Sequence, residues 1–532
     1  LVALLVATPV LVVISSVFTP SGDIWRHLAS TVLPVYIRNS FLLMVGVGVG
    51  VLVVGVGTAW LVTMCRFPGR RLLEWALVLP MAIPAYILAY AYTDYLQYAG
   101  PLQSVIRDLT GWTARDYSFP NIRSLGGAVS MLTLALYPYV YLLARAAFLE
   151  QSVAILEASR SLGRNAWRSF FVVSIPLARP AIAAGTALAL METLSDFGTV
   201  EYFGVITFTT GIYRTWFGLG ERVAAAQLAA GLLVFILLLI LLERSLRGGP
   251  ESQPGSSRFR ALPGYRLGGI RRSGAILACT VPVIVGFLLP IGILGELAWS
   301  HMSQTLDLRV LEYARNTLVL AGVTAFLAIL IALVLAYGKR LRKSWFTDVA
   351  SRVAAIGYAV PGSVIAVGVL LHLGWLDNRI DALMQSWLGI STGLLLSGTA
   401  AGLVFAYLAR FLAVSFGTIE AGLGKITASM DDAARSLGRR TISTLWRVHI
   451  PLLRGSILTA ALLVFVDVVK ELPATLIVRP FNFDTLAVQV YRLASDERLA
   501  EAAGPALLIV VVGILPVVVL SMAIARSREM GR

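Results

Sequence analysis

Cysteine is nearly absent: Cys65 and Cys279 are the two in 532 residues. Two cysteines build no disulfide framework, so the fold must be held by packing. Histidine is almost as scarce. His27, His301, His372 and His449 are scattered without metal-ligand spacing, and each is expected to be an interfacial or solvated residue. Only 14% of the residues are charged, against about 25% in soluble domains, which excludes an ordinary soluble domain. Catalytic motifs are missing as well. No Ser/His/Asp or Cys/His set stands in a recognisable context, which argues against an integral membrane enzyme. Gly422-Leu423-Gly424-Lys425 is no phosphate loop. Ile419 stands where the first glycine belongs, and Ile426 where a magnesium-binding Ser or Thr is needed. The chain is expected to catalyse no covalent reaction and to bind no cofactor of its own.

What is abundant is apolar sequence, 58% of the chain. Twelve spans are predicted, at about 1–18, 41–64, 73–98, 124–148, 177–197, 223–243, 274–298, 316–337, 348–372, 393–416, 455–470 and 503–525. Most cover or approach the roughly 20 residues that cross a bilayer. Residues 1–18 read as a span, the apolar run being long for a signal-peptide core. The class is an all-α polytopic membrane protein. With the N-terminus inside, the inner segments carry about twice as many Lys and Arg as the outer ones. Both termini are therefore expected on the cytoplasmic side, with Cys65 and Cys279 near that face, where thiols stay reduced. The net charge of +15 becomes a topology signal, and nucleic acid is excluded as a partner.

A polar, turn-rich linker at 248–273 divides the chain into halves, 1–247 and 274–532, of six spans each. The halves repeat. Glu-Ala-Ser-Arg-Ser-Leu-Gly-Arg from Glu157 parallels Asp-Ala-Ala-Arg-Ser-Leu-Gly-Arg from Asp432. At the same offset, Val-Ser-Ile-Pro ending at Pro176 parallels Val-His-Ile-Pro ending at Pro451. Tyr36-Ile37-Arg38-Asn39-Ser40 parallels Tyr313-Ala314-Arg315-Asn316-Thr317, and Pro84 parallels Pro361. Two six-helix repeats in the same orientation imply a pseudo-two-fold axis along the membrane normal, where transport pathways commonly lie. Glycines 46, 48, 50, 55 and 57 are expected to pack helices closely, and Pro84 and Pro361 to kink theirs.

The duplicated pattern, acidic-Ala-small, then Gly, then aliphatic-x-aliphatic-Pro, resembles the cytoplasmic "EAA" loop of ABC-importer permeases. The resemblance implies that Glu157, Ala158, Gly163 and Pro176, and Asp432, Ala433, Gly438 and Pro451, form two coupling segments. On these a separate cytoplasmic ATPase dimer, the user of ATP, would dock. Gly163 and Gly438 would supply tight bends, and Leu162, Phe170, Leu437 and Trp446 apolar anchors. Ser159 and Asp432 depart mildly from the motif. Fused double permeases of this length, with stretches such as Leu194-Ser195-Asp196-Phe197-Gly198 and Lys470-Glu471-Leu472-Pro473, are similar to the ferric-iron group. That implies an inner-membrane importer fed by a periplasmic substrate-binding protein. Thiamine, phosphonate and polyamine permeases share features of the pattern and remain alternatives. An ion-coupled secondary transporter is a further one, opposed by the paired docking loops.

Two more residue sets stand out. Glu192 and Asp196 recur as Asp467 and Glu471, at the offset of the duplicated loop. Each pair is spaced i, i+4 and is expected to share one helix face, with Glu192 roughly 20 Å from the cytoplasmic end. Four carboxylates about the axis would make an ion pathway for a hard cation. The alternative is solvation at the helix ends, or pairing with Lys470 and nearby arginines. Outer segments 198–222 and 473–502 also match. Arg214, Trp216, Glu221, Tyr491, Arg492 and Asp496 are candidate contacts for the binding protein, unless these segments only close the outer face.

Overall fold

The computed structural model describes residues 2–20, 22–113, 115–151, 157, 159, 161–163, 165–247, 264–301, 308–342 and 344–529. Among them, regular structure is helical apart from a parallel pair of two-residue strands, Cys65–Arg66 with Tyr265–Arg266. Among the described residues, nine helices are long and apolar enough to cross a membrane: Leu33–Met64, Leu125–Glu150, Trp167–Ser195, Arg222–Leu246, Gly269–Ser300, Arg309–Leu341, Ala400–Gly424, Thr441–Lys470 and Leu499–Pro516. Two bent pairs raise the count to eleven, and Val2–Phe18 is a shorter apolar helix. The helices form despite many Gly and Val because a bilayer offers the backbone no hydrogen bonds, so each span must satisfy its own. The expected short span at 455–470 is instead the second part of Thr441–Lys470. Arg447, His449, Pro451 and Arg454 at its start disguise it.

Pro84 and Pro361 break their spans rather than kink them. Arg70–Ala82 meets Ala85–Thr110 at 91°, and Trp345–Ala359 meets Gly362–Leu388 at 116°. Ile83 and Val360, the residues before proline, are extended (ψ 118° and 128°), as the proline ring requires of its predecessor. A new helix then starts at the next residue.

The chain packs as two compact units, and neither is a contiguous half. One comprises 1–26, 211–233 and 307–490; the other 27–210, 234–306 and 491–532. In the first unit, Val2–Ser15 lies on Gly362–Leu388, so close that a Cβ on Gly368 would fall 2.1 Å from the Pro9 carbonyl. Val6 joins a core built from Ala332, Ala336, Leu412, Phe416, Ile419 and Leu453. In the second unit, Gly50 and Gly55 bring Leu33–Met64 against Leu125–Glu150. A Cβ there would sit 2.4 Å from Thr133 Oγ1 and 2.8 Å from Val140, which is the close packing expected of small residues. Gly269–Ser300 and Leu499–Glu529 complete that unit beside Leu79–Ala82 and Ala85–Leu96. The repeat in sequence thus differs from the unit of packing, since an apolar helix buries its face wherever a complementary one lies. Of the linker, residues 248–263 lie outside the described residues.

The repeated Asn-Ser/Thr motif has one job in both units. Asn39 Nδ2 donates to the Ile206 carbonyl (2.8 Å) and Asn316 Nδ2 to that of Asp484 (3.2 Å). Ser40 Oγ and Thr317 Oγ1 accept from the amides of Phe208 and Leu486. The motif ties the start of a span to the segment that leads into helix Phe208–Tyr213 in one unit and Leu486–Ser495 in the other.

Candidate coupling segments and outer carboxylates

In the second repeated segment, helix Ala428–Ser436 ends in a left-handed glycine, Gly438 (φ 71°). The Gly438 amide donates to the Arg435 carbonyl (2.9 Å) and the Arg439 amide to that of Ala434 (3.0 Å), the paired bonds of a Schellman end. In the first copy Gly163 has φ 73°. No neighbour fills the space beside either glycine, so it is the backbone angle that demands Gly. Ala158 lies outside the described residues; Glu157 is exposed. Ser159, the departure from Ala, is buried with its Oγ 3.3 Å from Ser169 Oγ. Asp432 is exposed and pairs with Arg435 at 3.1 Å.

Beyond each glycine the chain re-enters a span through a wide turn. The Ile175 amide donates to the Phe170 carbonyl and the Ile450 amide to that of Leu445, five residues back. Pro176 and Pro451, which follow at once, have no N–H to donate, and the wide turn accommodates the gap. Each copy leaves large apolar side chains uncovered, three of them at matching positions. Leu162, Trp167 and Phe171 are 76%, 65% and 61% exposed; Leu437, Ile442 and Trp446, at the corresponding positions, are 79%, 71% and 64% exposed. Phe170, an expected anchor, is instead buried against Trp60 at 4.7 Å. Sequence reasoning missed Trp167, Phe171 and Ile442. Their signal was an i, i+4 apolar pair directly after a glycine turn.

The copies are fastened differently. Trp60, Phe148 and Phe170 form an aromatic anchor for the first. The second uses a polar clamp. Arg340 donates to Asp431 (2.9 Å) and to the Leu423 and Ile426 carbonyls, His449 Nε2 lies 2.7 Å from Asp431, and the Tyr337 hydroxyl donates to the Thr441 carbonyl. Burial pushes the Asp431 carboxyl up, but the Arg340 and His449 hydrogen bonds outweigh it and hold the group below its ordinary range. His449 is therefore no solvated residue; it is 1% exposed. Its partner Asp431 lies on the far side of a glycine turn, which no spacing rule detects.

The outer carboxylates depart from the expected geometry. The spans end at Ser195 and Lys470, so Asp196 and Glu471 follow the last turn with extended backbones (ψ 133° and 117°). Neither pair shares a continuous helical face. Asp196 accepts from the Val200 amide (3.1 Å) and Thr199 Oγ1 (3.0 Å), capping helix Gly198–Tyr202. Glu471 accepts from the Ala474 amide (3.0 Å), capping Pro473–Val478, and is buried in an ion pair with Arg410. That pair rests against Gly362, where a Cβ would fall 2.4 Å from Glu471 Oε1. Asp467 lies 3.7 Å from Lys470, and Glu192 is half-buried. Of the outer candidates, Arg214, Arg492 and Asp496 are exposed. Trp216, Glu221 and Tyr491 are half-buried, Trp216 beneath the Arg222 guanidinium and Tyr491 against Phe197.

Bilayer-length helices and two copies of one glycine-turned segment define a membrane protein with an internal repeat. Residues 51–247 and 328–528 each match the family described as "Binding-protein-dependent transport system inner membrane component", and the chain belongs to that family. It is a multi-pass inner-membrane permease, and its family is one of transport components, not enzymes. The chain is 26% identical over 494 residues, 91% of its length and 89% of the relative's, to "Fe(3+)-transport system permease protein FbpB 2" of Haemophilus influenzae. It is 24% identical over 468 residues, 82% of the chain and 64% of the relative, to "Ferric transport system permease protein FbpB" of Actinobacillus pleuropneumoniae. A shorter stretch, 30% of the chain and 64% of the relative, is 32% identical to "Molybdenum transport system permease protein ModB" of Escherichia coli.

Proposed function

We propose that the chain is the permease of an ABC importer for ferric iron. A periplasmic binding protein delivers the ion, and a separate cytoplasmic ATPase dimer supplies the energy. The observation that carries the importer reading is the pair of equivalent exposed apolar triads, Leu162/Trp167/Phe171 and Leu437/Ile442/Trp446, each beside a left-handed glycine. Apolar side chains left uncovered at a glycine turn and in the first turns of the span that follows suit a groove on a partner. The iron reading is supported by likeness over nine-tenths of the chain to a permease named for Fe(3+). Of the four carboxylates Glu192, Asp196, Asp467 and Glu471, Asp196 accepts from neutral hydroxyl and amide donors and fits a cation better than an oxyanion, which it would repel.

In this reading the two bent pairs and Val2–Phe18 complete twelve spans in two parallel six-helix repeats about a pseudo-two-fold axis, with 1–247 and 274–532 as the repeated halves. Both termini face the cytoplasm. Arg214, Trp216 and Glu221 in one unit, and Arg492 and Asp496 in the other, are candidate contacts for the binding protein. ATP is bound and hydrolysed by the partner alone. The test is reconstitution in liposomes with the ATPase and binding protein, following radioactive ferric iron. Uptake that needs both partners and ATP is expected; uptake by the permease alone, driven by an ion gradient, would overturn it.

A further inference from the structure

Asp196 has neighbours that Glu471 lacks. Helix Ala85–Leu96, starting at the Pro84 break, carries Tyr86 and Tyr90, with ring centroids 5.8 Å apart. Tyr202 lies on the short helix that Asp196 caps and meets the Tyr90 ring edge-on at 4.5 Å. Tyr90 is 2% exposed and its hydroxyl has no hydrogen-bond partner. Asp196, Tyr202 and Tyr491 lie within electrostatic reach of that hydroxyl. A buried hydroxyl without a hydrogen-bond partner is costly unless a ligand or water completes it. The positions equivalent to Tyr86, Tyr90 and Tyr202 hold Ser363, Val367 and Ile477. None of these is phenolic; the buried Tyr407 near Glu471 is already hydrogen-bonded to Thr475 Oγ1 at 2.7 Å, and Arg410 neutralises the carboxylate.

A pocket of about 440 Å³ adjoins the cluster, lined in part by Thr93, Gln97, Gln103, Tyr117, Asn121 and Arg123. Thr93 is one helical turn from Tyr90. The Arg123 guanidinium covers the Tyr202 ring at 5.0 Å, lies 3.4 Å from its hydroxyl, and pairs with the exposed Glu497 at 3.3 Å. The pocket is polar and reaches Tyr202 through Arg123, which lies over its ring.

We propose that Tyr90, Tyr202 and Asp196 form a transit site for ferric ion, reached through this pocket; the proposal rests on the cargo reading above. A hard trivalent cation takes hard oxygen donors. Two phenolates and one carboxylate match its charge. Each coordinating phenol forms an oxygen–iron bond and releases its proton to the water of the pocket; no electron moves. Burial raises the Tyr202 hydroxyl above its ordinary range and Arg123 offsets part of that rise, so the incoming ion has to displace the proton. Among the described residues no group of three or more His, Cys, Asp or Glu can hold a metal; in this proposal two of the three donors are phenol oxygens.

The test is a titration of the purified full-length permease with ferric nitrilotriacetate, read as the visible charge-transfer absorption of iron phenolate. It is run beside iron uptake in the reconstituted system. Wild type should show the band, Tyr90→Phe and Tyr202→Phe should lose most of it and at least tenfold in uptake, and Tyr92→Phe should keep both. Tyr92 donates elsewhere, to the Val285 carbonyl, and all three changes keep the ring. Wild-type uptake without a band, or unchanged uptake in both variants, overturns the site and leaves the cargo reading standing. No wild-type uptake overturns the cargo reading, and the site with it.

Discussion

Asp196 and Glu471 stand at the same place in two repeats, each just past the end of a span and each capping the short helix that follows. Their surroundings differ. Glu471 is closed off by Arg410 and by Gly362, which has no side chain to intrude. At the positions of Arg410 and Gly362 the first half has Ala135 and Ala85, and Asp196 is held by hydroxyl and amide donors beside tyrosines. A duplicated frame has kept its cap in both copies. It has locked one carboxylate and left the other to neutral partners.

The largest effect should come from unlocking the closed copy. Arg410→Ala leaves a buried carboxylate without its cation and should destabilise the protein by about 3–5 kcal/mol, measured by unfolding in detergent. Replacing both Arg410 and Glu471 by Leu should recover most of that loss; if it does not, the pair is more than a neutralised charge. Gly362→Ala comes next. Its Cβ would press on both ion-pair partners and should cost about 1–3 kcal/mol by overpacking, whereas Ala85→Gly in the other repeat should cost about 1 kcal/mol or less. Equal costs would erase the comparison.

Smaller effects separate the coupling segments. Gly163→Ala and Gly438→Ala each force a left-handed residue and should cost about 1–2 kcal/mol locally, read as weaker stimulation of ATP hydrolysis by loaded binding protein. Leu437→Ser with Trp446→Ser, and Leu162→Ser with Phe171→Ser, should leave the unfolding midpoint within about 0.5 kcal/mol, because these side chains are exposed, while lowering ATPase co-purification. Unchanged co-purification in both would remove the docking account. The smallest effect is one of pH. The Asp431 carboxyl is held below its ordinary range, so the stability it contributes is complete above about pH 4 and fades as pH falls through the lowered value. Hydrogen exchange on helix Ala428–Ser436 should quicken there, and Asp431→Asn should abolish that pH dependence. The first copy, anchored by Trp60 and Phe170, should not respond.

The spans were legible because bilayer thickness imposes a run length that hydropathy records, and Gly163 and Gly438 because a left-handed turn selects glycine. The outer carboxylates were legible as a repeat but not as helix caps. Nothing in Glu192-Thr193-Leu194-Ser195-Asp196 marks the residue at which the helix stops, so i, i+4 spacing suggested a face that the backbone does not build. The Arg340–Asp431–His449 clamp was hidden because its members come from three segments brought together only by packing. The interleaving of Val2–Ser15 with second-half helices was hidden too, since a uniformly apolar helix does not encode which neighbour covers it.

The difference between the two carboxylates is tested most directly by iron uptake in the reconstituted system, comparing Asp196→Asn with the double replacement of Arg410 and Glu471 by Leu at equal membrane levels. Uptake lost by at least tenfold in the first and kept within about twofold in the second is the expected result; equal loss in both, or wild-type uptake with Asp196→Asn, would contradict it.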